Sequence, residues 1–193
     1  MDATVAELLG VCRTLVLDGA VTEGEAAALR RWIVQHPDAV HAYPGGILAD
    51  RLQRLFADGC VTPEEREELG ELWRDLTSGR ENGARPGTPG ADAFLDRPLP
   101  AVRFDGREYV FTGRLLWATR ADCARAVLDR GGRVAPYLTW STSFVVVGPV
   151  AGAAWLPTRQ GATLRTAARL RTAGAGIHVI PEDHWIMALE AGA

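Results

Sequence analysis

Residues 77–92 read TSGRENGARPGTPGAD, and apart from alanine the stretch holds no apolar side chain. Glycine, proline, asparagine and serine in that proportion bury too little surface to offset the entropy of ordering a chain. No single hydrophobic core is expected to run through such a segment. The 193 residues are therefore read as two units and a tether: a helical unit at 1–78, a linker at 79–93 and a second unit at 94–193.

Charge divides at the same place. Residues 1–79 carry fourteen acids against seven arginines, whereas residues 94–193 carry eight acids against twelve arginines. The second unit is the one suited to an anionic partner. All 21 basic residues are arginine, so lysine–nucleotide adducts, Schiff bases and the P-loop lysine are excluded from this chain. Cys12, Cys60 and Cys123 stand far apart, with no spacing for a zinc site or disulfide framework, and are read as small buried thiols. No apolar run approaches the roughly 20 residues of a membrane span. The opening MDATVAELLG has an acid where a secretion signal has basic residues, so a cytoplasmic protein without a membrane partner is expected.

The first unit repeats itself. LDGAVTEGEAAALRRW at Leu17–Trp32 matches ADGCVTPEEREELGEL at Ala57–Leu72, 40 residues on. In each copy Asp-Gly turns the chain out of one helix and a threonine caps the next. A glutamate three residues later closes the capping box: Thr22 with Glu25, and Thr62 with Glu65. Thr4 with Glu7 makes a third box. Val5, Leu8, Leu9, Cys12, Leu15 and Val16 form one apolar stripe, and Leu69, Leu72, Trp73 and Leu76 another. With middle helices near Glu23–Gln35 and Ile47–Phe56, the pattern predicts an all-α bundle of four helices. Residues 4–77 resemble the TerB-like helical domains associated with tellurite resistance. That resemblance implies that acids at such turns contribute to metal binding, and the matching positions are Asp18, Glu25, Asp58 and Glu65. Capping already accounts for Glu25 and Glu65, so no metal site is assigned; His36 and His41, in a loop, are not read as ligands either.

In the second unit strands alternate with helices. VRF and REYVF flank Asp105-Gly106, read as a hairpin turn. Thr119 with Asp122 caps a helix that Gly131-Gly132 stops. RVAPYL is a short strand, placed at a sheet edge by Pro136. SFVVVG, Ser143–Gly148, is apolar throughout, as a strand covered on both faces should be. A helix near Leu164–Ala173, the strand IHVI and a helix after Pro181 complete an α/β unit with a four-stranded parallel sheet.

Residues 100–190 resemble a BRCT domain, the module found at the end of bacterial NAD-dependent DNA ligases. The carrying motifs are YVFTG, RGGRV, STSFVVVG and GIHVIPEDHW with its buried Trp185, in order. PVAGAAWLPTRQGAT, Pro149–Thr163, is longer than the family's link at that point. The resemblance implies a phosphate pocket made by Thr112, the Gly113 amide and a basic residue near the second helix. Arg165 matches best there, with Arg159 or Arg169 as alternatives. It also implies a role in DNA repair, replication or damage response, with a phosphorylated protein or DNA ends as partner. Arg114, Arg169 and Arg171 are the candidate contacts to nucleic acid, and the acidic helical unit would take an unidentified protein partner. Phe111, Phe144 and Trp185 are read as core, while Trp140 and Trp155 fall in irregular segments where a ring could stack on a base. No Ser/His/Asp set, paired histidine ligands or nucleotide loop is visible, and His178 and His184 have no evident partner. A binding adaptor rather than an enzyme is expected, with no cofactor. The alternative is a metal-binding stress protein whose BRCT unit dimerises.

Overall fold

A computed structural model describes residues 23–41, 45–57, 62, 63, 67, 91–148 and 159–191. The chain separates into two compact units, Met1–Ser78 and Gly79–Ala193.

In the first unit three helices are described: α1, Glu23–Gln35; α2, Pro37–His41; and α3, Gly45–Ala57. The first begins directly after Thr22, where the capping pattern put it. Helix α2 occupies part of the stretch expected to be loop, its proline at the first helical position where a missing N–H costs nothing. Trp32, Leu48, Ala49 and Leu52 are buried. His36 stacks on Trp32 at 4.9 Å, and its Nδ1 lies 3.0 Å from the Trp32 carbonyl. The first helix expected here lies outside the described residues, and of the fourth only Pro63 and Glu67 are described as helical, so a four-helix bundle is not supported.

The second unit is described from Ala91, three residues inside the expected linker. A 3₁₀ turn, Ala91–Phe94, leads to β1, Glu108–Thr112; α4, Arg120–Leu128; β2, Arg133–Val134; β3, Thr142–Val147; α5, Arg159–Thr172; β4, His178–Pro181; and α6, Glu182–Ala191. The sheet order is β2-β1-β3-β4 and every pair is parallel. The short β2, followed by Pro136, lies at the edge. Central β3 is almost wholly buried, as its apolar run Phe144–Val147 requires.

Register decides which side chains share a face. Val110 pairs with Val145, Thr112 with Val147, and Val145 with Val179. Val145, Val147 and Val179 form one core cluster with Leu164 and Ala167 of α5 and with Ile177. The opposite face carries Tyr109, Phe111 and Phe144. Phe111 meets Trp185 of α6 edge-on at 5.2 Å, and Tyr109 stacks on Phe144 at 5.1 Å. Helix α4 is tied to α6 on that side, with Arg130 Nη2 donating to the Leu189 carbonyl at 2.9 Å. The three aromatics read as core are core.

Two expectations need correction. VRF and REYVF do not form a hairpin: residues 101–107 form no strand. Asp105-Gly106 does turn, closed by the Arg107 amide on the Phe104 carbonyl at 3.0 Å. The turn docks on the next turn along, with the Gly106 amide donating to Gly131 O at 2.9 Å. In a parallel sheet β1's neighbours approach through crossovers, so a local turn signal cannot supply a partner strand. The helix expected near Leu164–Ala173 begins earlier, at Arg159.

Candidate phosphate-binding site

Thr112 is the last residue of β1 and keeps only 4% of its surface exposed. Its register with Val147 puts its side chain on the sheet face covered by α5. The next residue turns out of the strand with φ 80°, a conformation that strains any residue with a Cβ, so glycine belongs at 113. Among the described residues neither the Thr112 hydroxyl nor the Gly113 amide has a hydrogen-bond partner. Both are donors able to meet a phosphate oxygen.

The turn is held from three sides. The Gly148 amide donates to the Thr112 carbonyl at 2.9 Å, and a Cβ at 148 would collide with the Arg114 carbonyl. Arg120, the first residue of α4, donates from Nη1 to the Phe111 carbonyl at 2.6 Å and from Nη2 to the Gly113 carbonyl at 2.9 Å. Those carbonyls face the β2 side, where β2 has already ended, and the guanidinium fork stands in for the missing strand. The following segment is fastened by Glu182. Its fully buried carboxylate accepts the Leu116 amide at 2.9 and 3.0 Å and the Trp117 amide at 2.9 Å. Trp117 in turn meets Trp185 edge-on at 5.6 Å. Thr119 caps α4 by accepting the Asp122 amide at 3.1 Å and donating its hydroxyl to Asp122 Oδ2 at 2.7 Å. The box is thus closed through the hydroxyl.

The expected basic partners fall as follows. Arg165 follows the fully buried Leu164 on α5 and is exposed. Arg169 is exposed on the same helix; Arg159 begins it, and its side chain lies outside the described residues. Arg171 is engaged elsewhere: its Nη2 stands 2.8 Å from Asp96 Oδ1, though not aligned as a hydrogen bond. Arg114 is half-buried beside Gly148. The structure therefore sets Thr112 and the helix bearing Arg165 on one face of the sheet, and commits Arg171 to holding the segment before β1.

Sequence reasoning missed Arg120 and Glu182. The signals available were weak: an arginine opening a capped helix, and an acid in the first turn of another. It also left His178 and His184 unpartnered. His178 Nδ1 lies 2.7 Å from Asp96 Oδ2, and His184 Nε2 lies 2.8 Å from the Pro100 carbonyl. Trp140 is 62% exposed, while Trp155 lies outside the described residues. Asp18, Asp58 and Glu65 also lie outside them, and of Glu25 only the backbone is described. Among the described residues no cluster of three metal-ligating side chains occurs.

No family model matches the chain. Bacterial DNA ligases do. The chain is 34% identical over 87 residues to a DNA ligase of Geotalea uraniireducens, covering 45% of this chain and 11% of that protein. It is 31% identical over 140 residues to a DNA ligase of Geobacter sulfurreducens, 72% of this chain and 19% of that one. A DNA ligase of Xanthobacter autotrophicus matches at 29% over 175 residues, 86% of this chain and 20% of that one. The chain thus spans between a tenth and a fifth of the relatives it matches. These are weak, partial homologies, consistent with a ligase-related BRCT region; a TerB-like unit is not shown. They also correct the expectation that the chain is not an enzyme, because each of these relatives is named as one. Among the described residues no helix is long and apolar enough to cross a membrane.

Proposed function

We propose that residues 94–193 act as a BRCT domain that docks the chain on the phosphorylated end of a DNA strand. Thr112, Gly113 and Arg165 form its pocket. The observation that carries the reading is the pair of donors at the end of β1. A hydroxyl and an amide that have no hydrogen-bond partner among the described residues lie in a turn braced by Gly148 and Arg120, on the face covered by an arginine-bearing helix. Arginine adds a planar fork that grips a phosphate through two parallel hydrogen bonds. The likeness to DNA ligases favours a DNA end over other phosphate carriers. Arg114 and Arg169 would follow the adjoining backbone, and the acidic helical unit would engage a second protein.

Binding of the full chain to nicked duplex DNA, with and without a 5′-phosphate at the nick, tests this across a salt series. One charge-assisted hydrogen bond is worth about 1.5–3 kcal/mol, so Thr112→Val and Arg165→Ala should each weaken the phosphorylated substrate by about tenfold or more. The unphosphorylated nick should be unaffected. Equal affinity of the wild type for both nicks removes the pocket. A phosphoserine peptide that outcompetes the phosphorylated nick would transfer the pocket to a protein ligand.

A further inference from the structure

The loop between β2 and β3, residues 135–141, displays two large aromatic rings. Tyr137 is 76% exposed and Trp140 is 62% exposed. The loop between them is firmly fixed. Leu138 packs on the core cluster of Val145 and Leu164. The hydroxyls of Thr139, Ser141 and Thr142 all donate to the Glu108 carboxylate, at 2.9, 3.1 and 3.0 Å, and the Thr139 amide donates to Thr142 Oγ1 at 3.0 Å. Two aromatics held outward on an anchored loop are the pattern of a contact surface.

The charge beside them is basic. Glu108 is the register partner of both Thr142 and Arg133, and the Arg133 amide donates to the Arg107 carbonyl at 2.8 Å. Arg107 and Arg133 are both exposed. The acids nearby are Glu108, engaged by the three hydroxyls, and Asp105, set against Gly131. Rings rimmed by guanidinium groups and hydroxyls suit a flat, anionic, sequence-variable partner better than an apolar one. A hydrophobic peptide would leave those arginines facing an uncharged surface.

We propose that Tyr137 and Trp140, flanked by Arg107 and Arg133, form a stacking surface for unpaired bases of single-stranded DNA. The rings take base faces and the guanidinium groups follow the phosphates. The surface lies at the amino ends of β1 and β3, four residues of strand from Thr112, or about 13 Å at the usual rise. It rests on the DNA reading above but not on the phosphate pocket.

Fluorescence anisotropy with the full chain tests it, using a deoxythymidine oligonucleotide of about twelve nucleotides and an abasic backbone of equal length. Each is prepared with and without a 5′-phosphate. Trp140→Ala should weaken the oligonucleotide by about fivefold to a hundredfold, and Tyr137→Ala in the same direction. Trp140→Phe, which keeps a ring, should restore most of the loss. The abasic backbone should be indifferent to Trp140→Ala. Replacing Arg107 and Arg133 together by glutamine should flatten the slope of log affinity on log salt by about 1.4. Wild-type affinity in Trp140→Ala overturns the proposal. So does an equal loss on the abasic backbone, or a change in oligomeric state on sedimentation with DNA binding intact, which would assign the rings to a second copy. Thr112→Val should abolish the 5′-phosphate preference and leave the Trp140 effect in place. If the preference is absent in the wild type while the Trp140 effect remains, only the pocket falls.

Discussion

The two ends of the one parallel sheet are built on different economies. At the carboxyl end, charged side chains are spent on backbone groups: Arg120 on the Phe111 and Gly113 carbonyls, Glu182 on the Leu116 and Trp117 amides. At the amino end, Glu108 is spent on the hydroxyls of Thr139, Ser141 and Thr142 in a partly open setting. The first arrangement braces a turn in which two donors have no partner among the described residues. The second pins a loop and leaves two rings outside. Bracing by the buried Glu182 carboxylate should carry stability, and bracing by surface hydroxyls should carry mainly shape.

The sharpest way to break this contrast is Glu182→Ala. It strands two amides in the buried segment after the turn and opens a void, so the second unit should lose about 3–5 kcal/mol, read by chemical denaturation. A loss below about 1 kcal/mol would deny the buried clamp its role. Arg120→Ala comes next, at about 1–2 kcal/mol. Its two carbonyls are partly wet and water can replace the guanidinium. Faster hydrogen exchange at Gly148, whose amide donates to the Thr112 carbonyl, should accompany that loss. Glu108→Gln should cost least, and its signature is pH. Partial burial raises the Glu108 pKa, but hydrogen bonds from Thr139, Thr142 and Ser141, with Arg133 nearby, outweigh it and hold the carboxyl below its ordinary 4.5. A depressed pKa contributes stability above the ordinary value, and that contribution is lost as pH falls through the lower, folded one. The wild type should therefore lose part of its advantage over Glu108→Gln below about pH 4.5. An unchanged gap between the two across that range would count against the hydroxyl cluster.

Most of the second unit could be read from periodicity and punctuation. The apolar run Phe144–Val147, the Gly-Gly helix stop and the Thr119 cap each have a local cause, and each marks its element. Asp105-Gly106 misled because its turn chemistry is real while its partner is another turn, brought close only by the crossover through α4. The start of α5 was missed because Gly161 weakens the helical pattern and stands where an acid or glutamine would close a capping box with Thr158. Arg120 and Glu182 were illegible for a different reason. A side chain that binds backbone has no sequence complement: the amides Glu182 accepts lie 66 and 65 residues away and belong to a leucine and a tryptophan. Thr112 and Gly113 could be proposed from sequence because hydroxyl and glycine are themselves the chemistry. The arginine proposed to join them depends on helix register, which spacing across a long connection does not fix.

Backbone groups on both flanks of the sheet are engaged. On one side the Arg120 fork occupies the carbonyls that β2 is too short to reach; on the other the Asp96 amide donates to Val179 of β4 at 2.9 Å, and Asp96 itself is held by Arg171 and His178. An incoming strand needs a row of unpaired amides and carbonyls to dock on. With those rows interrupted at both margins, a four-stranded parallel sheet with a nearly all-valine centre can remain dispersed at high concentration instead of seeding cross-β stacks.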